Sequence, residues 1–290
     1  MFIGIDHGTT AMRFSTGEEE FKISREEARD FLAGDLGRLS PLDEIEGIAV
    51  CYSMGDGIPA ITDIRKVQNR GVISREGAGK HIGGGTRVYD EIKGSGLPAV
   101  VIPGLHRASP TDPRFKAYSH QASPEKIGIL YEVSHGLGGD IVVCDASSNT
   151  VTLLVTGGRI TGAFDACIFA PGTRHGALDV DAIRRIDRGE STANDAFLHA
   201  GVDHSVPPEL RIETMVMFAA MECASMLLIN PGAKVALAGS MAPAIAPGVE
   251  ALLSREVAVY DEWCASRGLA RIARDVFSGA TGILGLPVER

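Results

Sequence analysis

The chain has no CxxC pair, no HxxxH or HxH pair and no block of basic residues. Its five cysteines (Cys51, Cys144, Cys167, Cys223 and Cys264) are scattered, mostly within apolar runs, where a free thiol behaves as a small hydrophobe. This usage fits a reducing, cytoplasmic compartment, and the histidine spacing makes a zinc site improbable. A net charge of −9 and a pI near 5.4 speak against a nucleic-acid partner, because no basic patch is present to displace phosphate counterions. No basic N-terminal region leads into a long apolar stretch, and no run reaches the roughly 18 apolar residues that span a bilayer, so neither a signal peptide nor a membrane partner is expected. Aromatic residues are scarce at 6%, whereas glycine is abundant at 35 residues. That balance favours an α/β protein with many tight turns over a β-sandwich. With 290 residues, 44% of them hydrophobic, the chain is long enough for one large domain or two ordinary ones, each with a real core.

What is present is concentrated in the first fifteen residues, MFIGIDHGTTAMRFS. The apolar run Phe2, Ile3, Ile5 ends in Asp6. A small-residue turn, Gly8-Thr9-Thr10, follows, and Ala11 to Phe14 begins a second alternating stretch. This reads as strand, tight turn, strand, with a carboxylate and two hydroxyls at the hairpin tip. Such a tip suits a Mg-bound phosphate: backbone N–H groups and Thr hydroxyls face phosphate oxygens, and the Asp orients the metal or its water shell. The competing reading is a hairpin whose Gly and Thr serve the turn alone.

A third strand is predicted at Phe21 to Ser24. Ser24 and Glu27 then have the form of a capping box opening a helix over SREEARDFL. Ile45 to Tyr52 and Leu97 to Pro103 read as buried strands, separated by a polar, Gly-rich region from Ser53 to Gly96. A helix runs from Pro124 to about His135. The pattern then restarts, with strands at Asp140 to Asp145, Thr150 to Thr156 and from Arg159. Helices are predicted at 177–188, 191–200, 209–229, 243–253 and 267–284, with strands at Lys234 to Ala238 and Glu256 to Tyr260. The organisation thus occurs twice, in halves meeting near Gly136 to Gly139.

The second hairpin tip, Asp145-Ala146-Ser147-Ser148-Asn149-Thr150, repeats the chemistry of the first. Two such tips facing each other across a cleft would hold the phosphates of one nucleotide from both sides. In VALAGSMAPA (Val235 to Ala244), an apolar strand leads through Gly239-Ser240-Met241 into a helix, and small residues there admit a base or ribose close to the backbone.

In this order, IGIDHGTTAMRF, DIVVCDASSNTVTLLV and VALAGSMAPA resemble the first phosphate loop, second phosphate loop and adenosine motif of the superfamily of acetate and sugar kinases, heat-shock chaperone ATPases and actin. The stretch TGGRITGAFDACIFAPGTRHGALDVDAIRRI is similar to the segment of acetate and butyrate kinases in which a Gly-Thr-Arg run carries an Arg over the transferred phosphoryl group. Taken whole, the chain resembles the archaeal methanogenesis marker protein 12 family. The resemblance implies an α/β fold of two ribonuclease H-like (actin-like ATPase) halves, residues 1–136 and 137–290, with mixed sheets around a nucleotide cleft. It implies ATP and Mg as cofactors, with Asp6 and Asp145 holding the metal. Gly8, Thr9, Thr10, Ser147 and Ser148 would hold the phosphates, Gly239 and Ser240 the adenosine. Asp6, Asp145 and Arg174 would be the catalytic residues, Arg174 meeting phosphoryl charge as a bidentate guanidinium can. The sequence departs from the pattern at Ala177 and Leu178, where an acidic residue is usual, and at Ala146-Ser147-Ser148, which replaces a double Gly.

Other motifs carry less. Gly77-Ala78-Gly79-Lys80 lacks the first Gly and the trailing Ser or Thr of a P-loop, and Gly94-Ser95-Gly96 precedes a strand instead of following one. Gly83-Gly84-Gly85 reads as a flexible loop or hinge, and Lys80, His81 and Arg87 are candidate substrate contacts. His7 and His135 read as structural. The Met215, Met217, Met221, Met226 stripe with Leu227 and Leu228 reads as core, and Asp179, Asp181 and Asp187 as a solvated helix face. Three functions compete: a phosphotransferase on a small acceptor, an ATP-dependent switch or assembly factor acting on a protein partner, and a non-catalytic scaffold. A second copy of the chain, as a homodimer, also stands among the expected partners.

Overall fold

A computed structural model describes residues 1–73 and 84–290. Gly77-Ala78-Gly79-Lys80, His81 and Gly83 lie outside the described residues. β1 (Phe2–His7), β2 (Ala11–Ser15) and β3 (Glu20–Ser24) form an antiparallel meander, and β4 (Gly47–Val50) pairs parallel with β1. β5 (Ile61–Asp63), α1 (Gly85–Ser95) and β6 (Ala99–Val101) follow, then a ribbon of β7 (Leu105–His106) and β8 (His120–Ala122), then α2 (Glu125–Leu137). β9 (Ile141–Ala146), β10 (Thr150–Thr156) and β11 (Arg159–Phe164) make a second meander. It leads into α3 (Val180–Asp187), α4 (Ala193–Leu198), α5 (Val202–Ser205), α6 (Arg211–Ile229), β12 (Lys234–Ala238), α7 (Ala242–Leu253) and β13 (Val257–Val259). α8 (Cys264–Phe277), β14 (Gly282–Ile283) and β15 (Leu286–Glu289) close the chain.

The chain divides into two compact units. One holds the described residues up to 136 together with 263–290, the other residues 137–262. The C-terminal segment therefore differs from the expected half 137–290: its last elements join the first unit. The reason is close packing. α8 lies on β1 and β4, over positions without side chains. A Cβ on Gly4 would sit 2.0 Å from Ser266 O, and one on Gly47 would sit 2.2 Å from the Phe277 ring. Ile3, Ile5, Ile48 and Val50 are fully buried in the same sheet, as strands covered on both faces require.

The first unit's large sheet has the order β14-β15-β5-β6-β4-β1-β2-β3, and the second unit's sheet the order β11-β10-β9-β12-β13. Counted within each unit, the meander and the two parallel strands beside it take the same order in both.

Several expectations are corrected. The Ser24–Glu27 capping box forms, with Ser24 N donating to Glu27 Oε2 at 2.7 Å and Glu27 N to Ser24 Oγ at 3.1 Å. It opens only a 3-10 turn, Glu27–Arg29. The helix cannot continue because the backbone of Gly84 lies on Ala28, where a Cβ would be 1.9 Å from the Ala28 carbonyl carbon, and Phe31 must stack on Phe14 at 5.3 Å. Gly84 and Gly85 are thus close-packed and buried instead of a flexible hinge. The region 53–96 carries β5 and α1, and Arg87 donates to Phe31 O and pairs with Glu91. The predicted helix over 267–284 ends at Phe277 and a hairpin follows. On α6, Met215 and Met226 are core, but Met217 and Met221 are each 46% exposed and Leu228 85%. Among the described residues, Pro208–Ile229 is long and apolar enough by length and composition to cross a membrane, contrary to the expectation that no run would be. One side of it packs against β9, β10 and α7 and buries Glu222, while Met217, Met221 and Leu228 stay exposed.

Candidate functional site

In the first unit, Asp6 stands one residue before the end of β1, in register with Arg13 on β2. Its carboxylate is 4% exposed and accepts from Arg13 Nη1 at 3.4 Å. The turn above closes so tightly that a Cβ at Gly8 would lie 2.7 Å from both Ala11 O and Arg13 Nη1. Thr9 and Thr10 stand exposed at the tip. His7 takes a structural place: its Nδ1 accepts from Ser53 N at 3.3 Å, and its ring lies 5.4 Å from that of Tyr52.

At the start of α2 lies a group that sequence reasoning missed. Lys126 in the first turn of α2 is 4% exposed and pairs with Glu125 at 2.9 Å. Ser123 Oγ donates to Glu125 Oε1 at 2.7 Å. Burial pushes the Glu125 carboxyl up, but the Lys126 ammonium and the hydrogen bonds from Lys126 and Ser123 outweigh it and hold the group below its usual range. The buried Cys51 thiol is pushed up by burial first, then by the negative charges of Glu125 and Asp6, with Lys126 opposing. The one sequence signal was a lysine in the otherwise apolar run KIGILY, a position where solvent is the default for a charge.

In the second unit, Asp145 near the end of β9 is 3% exposed. Gly239 follows β12, whose Ala238 pairs with Asp145. A Cβ at Gly239 would sit 2.3 Å from Asp145 Oδ1, and its φ of +94° is a glycine conformation. Ser147 Oγ donates to Asp145 Oδ2 at 3.4 Å, and Ser147 N donates to Asn149 O at 2.8 Å, closing the turn.

The Gly172–His175 segment wraps this turn through its backbone. Thr173 N donates to Ser147 O at 2.9 Å, and the amides of Arg174 and His175 donate to Ser148 O at 3.2 and 3.0 Å. Gly172 is required because a Cβ there would lie 2.3 Å from Ser148 O. The His175 ring hydrogen-bonds the Asn149 side chain and stacks on Phe197 at 5.0 Å. Arg174 is exposed, and among the described residues its guanidinium makes no ion pair. The structure therefore brings together Asp145, Ser147, Ser148, Gly239 and the Arg174 backbone in one unit, and Asp6, Gly8, Thr9 and Thr10 in the other. Ser240 is exposed just beyond Gly239. Asp179 caps α3, accepting from Ala182 N at 2.8 Å, and Asp181 pairs with Arg184 on the exposed face of that helix.

Under the same segment, Glu222 on α6 is fully buried and accepts from Ala170 N at 3.1 Å. Its other oxygen and the hydroxyl of the neighbouring Thr152 lie side by side without a well-formed hydrogen bond. Burial pushes the Glu222 carboxyl from 4.5 up to about 8, with Asp165 adding to the rise and Thr152 and Ala170 opposing it.

Among the described residues no three His, Cys, Asp or Glu side chains gather into a metal cluster. A divalent ion would therefore be held by a carboxylate, waters and phosphate, which is the usual mode for Mg. Oxygen donors and turns that only glycine fits suit such an ion and its phosphate.

No protein-family model matches the chain. A UPF0285 protein of Methanosarcina mazei is 44% identical, over 99% of this chain and 99% of its own length, and others of that name come from further methanogens. A propionate kinase from Francisella tularensis superposes with a TM-score of 0.58 at 12% identity, covering 93% of this chain and 91% of its own. An acetate kinase from Porphyromonas gingivalis superposes at 0.57 and 10%, covering 94% and 98%. At such identities the likeness speaks for the fold alone, which this chain shares with those two kinases.

Proposed function

The chain belongs to the UPF0285 family, and we propose that it is an Mg-dependent ATP-binding protein that transfers phosphate to a small acceptor. The observation that carries this reading is the repeated construction: a buried aspartate next to the last residue of the first strand of a meander, under a tight turn of small residues, once at Asp6 and once at Asp145. In this reading Asp6 and Asp145 hold the metal's water shell. Thr9, Thr10, Ser147 and Ser148 donate hydroxyl hydrogen bonds to phosphate oxygens, and Gly8 leaves the backbone open to them. Gly239 and Ser240 leave room for the adenosine. Bound Mg would offset charge on the phosphates. Arg174, exposed and unpaired, orients the transferred group and stabilises its charge. The finer fold reading, two ribonuclease H-like halves, is supported by the strand order common to both sheets. We further propose that the family coincides with methanogenesis marker protein 12, and that the protein is cytoplasmic.

Calorimetric titration with Mg-ATP tests the reading. The wild-type chain is expected to bind, and Asp6→Ala to lose turnover while remaining folded. Full ATP-dependent activity in Asp6→Ala would sink the assignment, and absence of heat or thermal shift in the wild type would leave the scaffold alternative. A second reading, an ATP-dependent switch or assembly factor acting on a protein partner in methanogen metabolism, draws on the exposed Met217, Met221, Leu228 and Leu252 of α6 and α7. Recovery of the same partners with and without ATP would count against it.

A further inference from the structure

We infer that the outer face of α6 is the seam of an antiparallel dimer, packed against α6 of a second copy of this chain. The inference is independent of the nucleotide-binding reading.

The seam is a stripe of uncharged residues: Leu210, just before α6, then Thr214, Met217, Met221, Ala224 and Leu228. The helical path through them is continuous from Pro208 to Ile229. Their spacing alternates between four and three residues, which is the a/d pattern of a coiled-coil seam. From Leu210 to Leu228 is about five helical turns, or about 27 Å, so these two lie on one line along the helix and the other four within about 40° of it. The opposite side of α6 is taken up by β9, β10 and α7. The stripe itself faces solvent, with Leu210, Met217 and Met221 each 46% exposed and Leu228 85%.

The pattern favours a second copy as the occupant because it is symmetric about its own midpoint. Run antiparallel against itself, the stripe sets Leu210 against Leu228 of the other copy, Met217 against Met221, and Thr214 against Ala224. Large residues meet large ones and small meet small, which is the self-complementarity that a two-fold interface demands. The four large side chains expose on the order of 400 Å² together, about half of the roughly 800 Å² that each partner gives to a stable interface. α7 packs beside α6 and extends the face with the exposed Pro247 and Leu252. Among the described residues, α6 beyond Glu213 and α7 before Glu250 expose no charged side chain. Two chains of net charge −9 can therefore approach here without bringing like charges into contact. The antiparallel arrangement also keeps the two Glu213 carboxylates about 18 Å apart along the axis. A bilayer would have to surround a spanning helix, whereas one side of α6 is already occupied by its own sheet and α7.

Light scattering on the eluting full-length chain tests the inference. The wild type is expected at about 61 kDa at micromolar concentration, twice the 30.6 kDa of one chain. Met221→Glu sets a carboxylate against Met217 of the other copy twice per dimer, so the dissociation constant should rise at least about a hundredfold. Its melting as a monomer should change little, because the position is exposed there. A monomeric wild type, or a folded Met221→Glu chain that stays dimeric, would overturn the inference. Cross-linking gives a second measurement that does not depend on that variant. In a Cys167→Ala background, since Cys167 is the exposed one of the five native thiols, Leu210→Cys and Leu228→Cys chains are oxidised separately and mixed. The mixture should form a disulfide-linked dimer and neither chain alone should. A link within either chain's own sample, or none in the mixture, would overturn the antiparallel seam. Flotation of a monomeric wild type with phosphatidylcholine vesicles would assign the face to a membrane and overturn it as well.

Discussion

Replacing Glu222 by Gln should stabilise the protein, and by an amount that grows with pH. The side chain is fully buried on α6, one oxygen accepting the Ala170 amide and the other facing Thr152. Its carboxyl titrates at about 8 in the folded chain, against 4.5 when exposed. The native state therefore keeps a proton that the unfolded chain releases. The contribution is complete below about pH 4.5, declines as pH rises, and levels off above about pH 8. At 1.36 kcal/mol per pH unit, the full decline is about 5 kcal/mol, and about 3 kcal/mol is already lost at pH 7. Glutamine does not titrate. Its carbonyl can take the Ala170 amide, and its NH2 can donate to Thr152 Oγ1, which has no well-formed partner. Below pH 4.5 the two chains should be nearly equal. At pH 7 the variant should lead by about 3 kcal/mol, or roughly 6 to 12 °C in Tm. Urea denaturation followed by circular dichroism from pH 4 to 8.5 measures the difference directly, because every other titrating group cancels between the two chains. Parallel stability profiles, or a variant less stable at pH 8, would refute a protonated Glu222.

Three further outcomes follow from named contacts. Gly239→Ala should cost about 2 kcal/mol or more, since it combines a positive φ with a Cβ 2.3 Å from Asp145 Oδ1; urea midpoints check it, and Mg-ATP heat should fall in parallel. Arg174→Ala should leave stability within about 0.5 kcal/mol and lower phosphoryl transfer about 10²- to 10³-fold in a coupled product assay; a stability loss would mean that the guanidinium serves the fold. Gly4→Ala should destabilise by about 3 kcal/mol, because its Cβ would lie 2.0 Å from Ser266 O and 2.3 Å from Ala270 N. An unchanged melting temperature would contradict the seating of α8 on β1.

What could be read in advance, and what could not, divides along the range of the interaction that decides each feature. Asp6 and Asp145 were legible because an apolar run that stops at an aspartate before small residues marks a strand end locally. The Ser24–Glu27 box was legible for the same reason, and its two hydrogen bonds form. The helix behind it was not, because the Gly84 backbone that occupies its path comes from just before α1, far along the chain. The return of α8 to the first unit depends on Gly4 and Gly47 meeting Ser266 and Phe277, a complementarity that no window of sequence contains. The methionine stripe could have been sorted in advance: Met215 and Met226 lie about three turns apart on one face, while Met217 and Met221 lie one turn apart on another. Their exposures follow that division. Lys126 and Glu222 escaped for the opposite reason. A charge in an apolar helix reads as a solvated one, and only the packed neighbours show that it is buried. Buried charges are few and depend on their partners, so a residue such as Glu222, on whose proton the stability of the fold turns, is among the hardest to read from sequence.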